Sequence, residues 1–235
     1  MAGSKAPERI APGIYRVDAI GLKNAVNMLL LENDDGWTLV DTGVASSAGR
    51  IREAIVALGS GAGDLRRIFI THHHVDHVGG LPGLKEWAPG AEVGATMGEA
   101  EIVSGKRPPE PSSNPLFRFM TSNVSLPTVP VAKILREGDL ISGFRIVSTP
   151  GHTLGHVSLL RDEDGLLFTA DAFGAMARRI RVGGVKALCT DPPEARRSAE
   201  KLLEEDFATV VMGHGPVLRS GARAKLQEAV ERCGY

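Results

Sequence analysis

The stretch Thr71-His72-His73-His74-Val75-Asp76-His77 gathers four of the chain's seven histidines and an aspartate directly behind the apolar run Ile68-Phe69-Ile70. Residues two apart in extended chain point the same way, so His72 and His74 can present their imidazoles to one cation. If the chain then turns, Asp76 and His77 face a second cation beside the first. Imidazole and carboxylate suit zinc, and also iron and manganese. A His-rich surface turn is the bland alternative. It fits poorly a segment entered from an apolar strand and left through Gly79-Gly80. Three further pieces have the same character. His152 sits in the turn Thr149-Pro150-Gly151-His152-Thr153, Asp171 follows Phe168-Thr169-Ala170, and His214 lies within Val211-Met212-Gly213-His214-Gly215. Each is weak alone, because strand ends are common but not reliable functional positions. Together they repeat one placement, the exit of a strand. His73 points away from its neighbours in extended chain and is expected to pack or be exposed, not to bind metal. His156, opening a strand, is expected to make a buried structural hydrogen bond.

The ordered set His72, His74, Asp76, His77, His152, Asp171 and His214, preceded by Val40-Asp41-Thr42-Gly43, resembles the metallo-β-lactamase superfamily over nearly the whole chain. The resemblance implies an α+β fold, the four-layer αββα sandwich, with residues 1–235 as a single domain. It implies that His72, His74 and His152 hold a first metal, that Asp76, His77 and His214 hold a second, and that Asp171 bridges them. Asp41 would stand behind the ligands and orient them. The implied cofactors are two zinc ions, with iron or manganese as alternatives.

Two such metals lower the pKa of a shared water and polarise an electrophile. The expected reaction is therefore attack of a metal-bridging hydroxide on an ester, thioester or lactone of small size, with Asp76 orienting the nucleophile or relaying a proton. No G-x-S-x-G nucleophile motif is present. Asp171 in the bridging position separates the chain from true β-lactamases, and His74 separates it from the oxygen-reducing diiron flavoproteins. What remains resembles glyoxalase-II-like thioesterases, lactonases and allied small hydrolases. The stretch after Asp171, Ala172-Phe173-Gly174-Ala175-Met176-Ala177-Arg178-Arg179-Ile180-Arg181, lacks the Cys-Gly found in glyoxalase II and the persulfide dioxygenases. A mononuclear iron oxidoreductase like the latter is one alternative, and a phosphodiesterase or nuclease of the same superfamily another.

These residues need strands that end together. Short β-rich runs are expected over 14–19, 26–31 and 37–40, with a hairpin turn at Asn33-Asp34-Asp35-Gly36. Ile51, Ala54, Ile55 and Leu58 fall at helical spacing, with Ser46 and Ser47 as candidate caps. Further strands are expected over 67–71, 92–95, 133–135, 144–147, 157–160, 166–169 and 209–212. Helices are expected over 192–203, with Asp191 as cap and Pro192 first, and over 222–230. Residues 106–130 carry six prolines and read as a long irregular insert with one helical turn near 116–120. Its Phe117, Phe119 and Met120 are candidate substrate contacts in an apolar lid, and Arg178, Arg179, Arg181 and Lys186 are expected to form a solvated basic face, with attraction of an acidic substrate as the alternative.

Composition narrows the classes. Lys+Arg 27 against Asp+Glu 28 leaves a net charge of −1, which gives no global field for nucleic acid or an anionic membrane. The expected partner is a small-molecule substrate, with neither nucleic acid nor membrane involved. Two cysteines without metal-ligand spacing read as reduced thiols. The opening residues hold no apolar run of signal-peptide length, so a cytoplasmic location is expected.

Overall fold

The computed structural model describes residues 6–121, 125–176 and 179–234. The chain forms two compact units. The first takes the described residues up to Ala95, with Glu99–Arg107 and Leu126–Ile134, and the second takes Thr96–Gly98 and the described residues of Pro108–Ser125 and Leu135–Tyr235.

In the first unit the strands are β1 (Glu8–Ala11), β2 (Ile14–Asp18), β3 (Asn27–Asn33), β4 (Gly36–Val40), β5 (Leu65–Ile70), β6 (Glu92–Thr96) and β7 (Lys133–Leu135). They form one sheet in sequence order. β1 to β4 are antiparallel neighbours, and the expected turn joins β3 to β4 with Asn33 paired to Gly36. Gly36 takes φ +128, and a Cβ there would lie 2.3 Å from the Asp64 carbonyl oxygen, so glycine is required. β4, β5 and β6 then run parallel, which demands crossovers. Helix α1 (Ser47–Ala57) makes the first, and α2 (Val75–Val78) with α3 (Leu81–Trp87) the second. Helix α4 (Met97–Val103) follows β6. Met28 and Leu30, Trp37 and Leu39, and Ile68 and Ile70 alternate along their strands and share a buried cluster with Ile51 and Ile55 of α1 and Leu81 and Leu84 of α3. Ser46 precedes α1 but makes no side-chain capping bond. Ser47 is buried instead, its Oγ 2.4 Å from where a Cβ on Gly43 would stand. Ser47 therefore serves loop packing rather than capping, and Ser46 is exposed.

The second unit contains helix α5 (Pro115–Thr121), longer than the single turn expected within the insert. Its strands are β8 (Leu140–Ile141), β9 (Phe144–Ser148), β10 (Val157–Arg161), β11 (Leu166–Phe168), β12 (Phe173–Met176), β13 (Arg179–Val182) and β14 (Thr209–Val211), with helices α6 (Pro192–Leu202) and α7 (Ala222–Glu231). β8 to β11 form an antiparallel meander, and β14 adds parallel to β11. β12 and β13 pair as a separate hairpin. Asp191 caps α6 as expected, accepting from the Glu194 backbone nitrogen at 3.0 Å. Leu160, Leu167 and Val210 pack with Phe173 and Val182 of the hairpin, Ala199 of α6 and Leu226 of α7. None of the helices among the described residues is long and apolar enough to cross a membrane.

Candidate metal centre

Parallel pairing explains how the first unit assembles its donors. Val40 of β4 is in register with Phe69 of β5, so the two strands release Asp41 and Thr71 side by side. Asp41 takes φ +62. Its carboxylate accepts from the Thr71 backbone nitrogen and from Thr71 Oγ1, both at 2.8 Å, and from His77 Nδ1 at 2.8 Å. The Thr71 hydroxyl, having given its proton to Asp41, accepts from His72 Nδ1 at 3.1 Å. One buried carboxylate thus holds Nδ1 of His72 and of His77 as donors, leaving Nε2 of each as the ligand atom.

The chain is extended at His74, then α2 carries Asp76 and His77 around a turn. The ligand atoms of His72 and His74 lie within 4.8 Å of one another, and so do those of Asp76 and His77. Gly79 and Gly80 allow this turn to press on the loop after β4. Cβ atoms there would lie 2.8 Å from the Ala45 nitrogen and 2.3 Å from the Thr42 oxygen. His73 is buried, not exposed, and donates from Nδ1 to Glu99 Oε2 on α4 at 2.7 Å. Glu99 has no local motif. The signal available was an acid on the same helical face as Ala100, Ile102 and Val103, all buried with it.

The second unit repeats the logic. Phe168 of β11 is in register with Val211 of β14, so Asp171 and His214 emerge from adjacent strands. β9 runs in the same direction, two strands along, and delivers His152 to the same end. His152 Nε2 lies 3.3 Å from Asp171 Oδ2, and His214 Nε2 lies 3.4 Å from that same oxygen. His152 Nδ1 donates to the Gly183 carbonyl at 3.1 Å, again leaving Nε2 for a ligand. His156 makes the structural bonds expected of it: Nδ1 donates to the Thr149 carbonyl and Nε2 accepts from the Asp171 backbone nitrogen, both at 3.1 Å. Gly213 is obligatory, because a Cβ there would stand 2.4 Å from Asp171 Oδ1. Cys189 is buried beside His152, and burial, followed by the Asp171 charge, pushes its thiol up to about 12. It stays protonated and donates to the Gly183 carbonyl at 3.3 Å.

The sequence model of the Metallo-beta-lactamase superfamily matches residues 22–214. The chain belongs to the metallo-β-lactamase superfamily. It is a metal-dependent hydrolase of that family with glyoxalase-II-like relatives. It is 30% identical over 217 residues to the uncharacterized protein YobT of Bacillus subtilis, covering 88% of this chain and 90% of that one. It is 27% identical to the probable metallo-hydrolase YflN of the same organism, covering 94% and 91%. A hydroxyacylglutathione hydrolase of Rhodopseudomonas palustris is 31% identical over 154 residues, which are 64% of this chain and 48% of that enzyme. This chain therefore spans about half the length of that relative. Among solved structures, a metallo-β-lactamase of Cronobacter sakazakii with a HARLDQ motif matches with TM-score 0.71 at 24% identity, covering 97% of this chain and 91% of that one. A metallo-β-lactamase family protein of Thermus thermophilus matches with TM-score 0.70 at 24% identity, covering 95% and 80%. These likenesses show the fold, the expected α+β sandwich of the family.

Phe117 of the insert is half-buried, while Phe119 is 79% and Met120 63% exposed. Ser112 and Ser113 hold the segment before them through hydroxyl bonds to the Ala187 and Cys189 carbonyls. The insert is not one piece, since 126–130 belongs to the first unit. Of the basic stretch, Arg178 lies outside the described residues, and Arg179, Arg181 and Lys186 are exposed.

Proposed function

We propose that residues 1–235 act as one domain, a dinuclear zinc hydrolase of small esters, thioesters or lactones in the cytoplasm. His72, His74 and His152 would hold one ion, Asp76, His77 and His214 the other, and Asp171 both. The donor chemistry fits. Nδ1 of His72, His77 and His152 is in each case engaged by an oxygen acceptor, which reserves Nε2. That shared arrangement is the observation that carries the reading. Bound there, two metal ions would supply Lewis acidity and an acidified water.

The chain's own residues do the rest. Asp41 and Thr71 fix the imidazole planes of His72 and His77. The Gly183 carbonyl fixes that of His152. Asp76 is half-buried, which suits a group that orients water and passes its proton on. Phe117, Phe119 and Met120 would receive the apolar part of the substrate.

Elemental analysis of tag-free protein and of Asp171→Ala tests this. The expected result is about two zinc ions per chain, with at least one lost in the variant together with nearly all esterase, thioesterase and lactonase turnover. Unchanged metal content in Asp171→Ala overturns its bridging role. A single iron per chain moves the assignment to an oxidoreductase.

A further inference from the structure

The β12–β13 hairpin carries charge that the proposed hydrolysis does not use. On β13, Arg179 and Arg181 alternate with Ile180 and Val182, which pack into the core of the second unit. Neither guanidinium makes a hydrogen bond or ion pair with a described residue. Their neighbours in the same unit do otherwise: Arg145, Arg161 and Arg196 are each paired with carboxylates.

The two unpaired arginines stand at a hollow of about 290 Å³, lined also by Lys186, Arg232, Gly184 and Cys233. A second hollow of about 470 Å³ again takes in Arg181 and Lys186, and is lined also by Ser113 and Asn114. None of the described residues lining either hollow is acidic. Arg232 is paired with Glu228, but Arg179 and Arg181 have no carboxylate partner among the described residues, and like charges gathered without one raise the energy of the folded state. Natural surfaces usually relieve this with interspersed carboxylates, as the paired arginines here illustrate.

The hollow also lies close to the candidate metal centre. Gly184 is part of its wall, and a Cβ at Gly184 would be 3.7 Å from Asp171 Oδ2. The preceding Gly183 supplies the carbonyl that orients His152.

We propose that this hollow binds a small carboxylate- or phosphate-bearing anion, gripped by Arg179 and Arg181. Guanidinium forks match the planar oxygens of such groups, and the volume fits a compact ligand near the lower end of ordinary pockets. The anion has two possible sources, the acidic end of the hydrolysed substrate or a free metabolite.

The direct test is isothermal titration with citrate and with inorganic phosphate at low ionic strength. It compares wild type with the double variant R179Q/R181Q and with R197Q, an arginine outside both hollows. Arg179 and Arg181 are exposed, so the double variant keeps its fold. Expected are binding by wild type and R197Q and a loss of at least about tenfold in R179Q/R181Q, since each charge-assisted bond is worth that order. No binding at millimolar citrate and phosphate, or equal affinity in all three proteins, overturns the site.

Turnover of 4-nitrophenyl acetate and of the mono-4-nitrophenyl ester of succinate separates the sources. A substrate-borne anion requires KM for the charged ester to rise in R179Q/R181Q, with its kcat and both constants for acetate unchanged. A free anion requires citrate to change kcat for both esters in wild type and for neither in the variant. If wild type hydrolyses neither ester while arginine-dependent citrate binding persists, the hydrolase reading fails and the anion site stands.

Discussion

At Asp41 one buried carboxylate serves three donors, the Thr71 amide, the Thr71 hydroxyl and His77 Nδ1, and through Thr71 it also governs His72. Losing it frees two imidazoles to rotate. Asp41→Ala is expected to weaken metal binding by about 10- to 100-fold, read by chelator competition, with circular dichroism confirming the fold; unchanged affinity would show that the rings are held by packing alone. His73 differs in kind. Its partner Glu99 is fully buried, and removing a buried partner costs about 1–3 kcal/mol. Glu99→Ala should therefore lower Tm while metal stoichiometry stays at the wild-type value. A lost metal would place His73 among the ligands after all. At this scale the histidines and aspartates were legible because few other residue types bind metals and their spacing was tight. Glu99 was not, because it meets His73 only through folding, 26 residues along the chain.

Elements, not individual residues, bring the donors to one end of each sheet. Parallel pairs β4 with β5 and β11 with β14 release Asp41 beside Thr71 and Asp171 beside His214. Glycine keeps those exits close. Gly213→Ala would press a methyl group against Asp171 Oδ1, so turnover and metal content should both fall, whereas Gly90→Ala, with nothing near its added carbon, should leave both unchanged. Equal behaviour of the two variants would remove the steric argument. Replacing residues 108–121 with a short linker is expected to change substrate affinity more than metal content; an unaltered substrate profile would remove the lid proposal. Long apolar strands and the capped α6 could be read in advance from periodicity and turn residues. β8 is two residues long, and β13 alternates arginine with apolar residues. Neither is legible in the sequence, because a strand so short or so charged looks like a loop until its hairpin partner is known.

Across the whole molecule, composition set expectations that local motifs could not. Cys189 and Cys233 are both free, as two reduced thiols without metal spacing suggested. Cys189 is buried and Cys233 half-buried, so a thiol reagent at pH 8 is expected to modify Cys233 alone in the native protein and both in denaturant. Rapid native modification of both would mean that the segment around Cys189 opens readily. The family was readable in the sequence because its donors recur in order from residue 41 to 214. The division into two compact units was readable only in part: the boundaries after Arg107 and before Leu126 fall in the Pro-rich insert, which parts two runs of strands and helices, whereas the others cut through β6, α4 and β7, where composition marks nothing. That division is also discontinuous, since the first unit takes Leu126–Ile134 after the chain has already left it. Val129 belongs to its buried core and β7 closes the edge beyond β6. During synthesis, then, the first unit cannot be finished when residue 107 clears the ribosome. Until residues 126–134 arrive, the nascent chain carries an open sheet edge and a gap in its core, which makes this interval the one in which a chaperone is most needed.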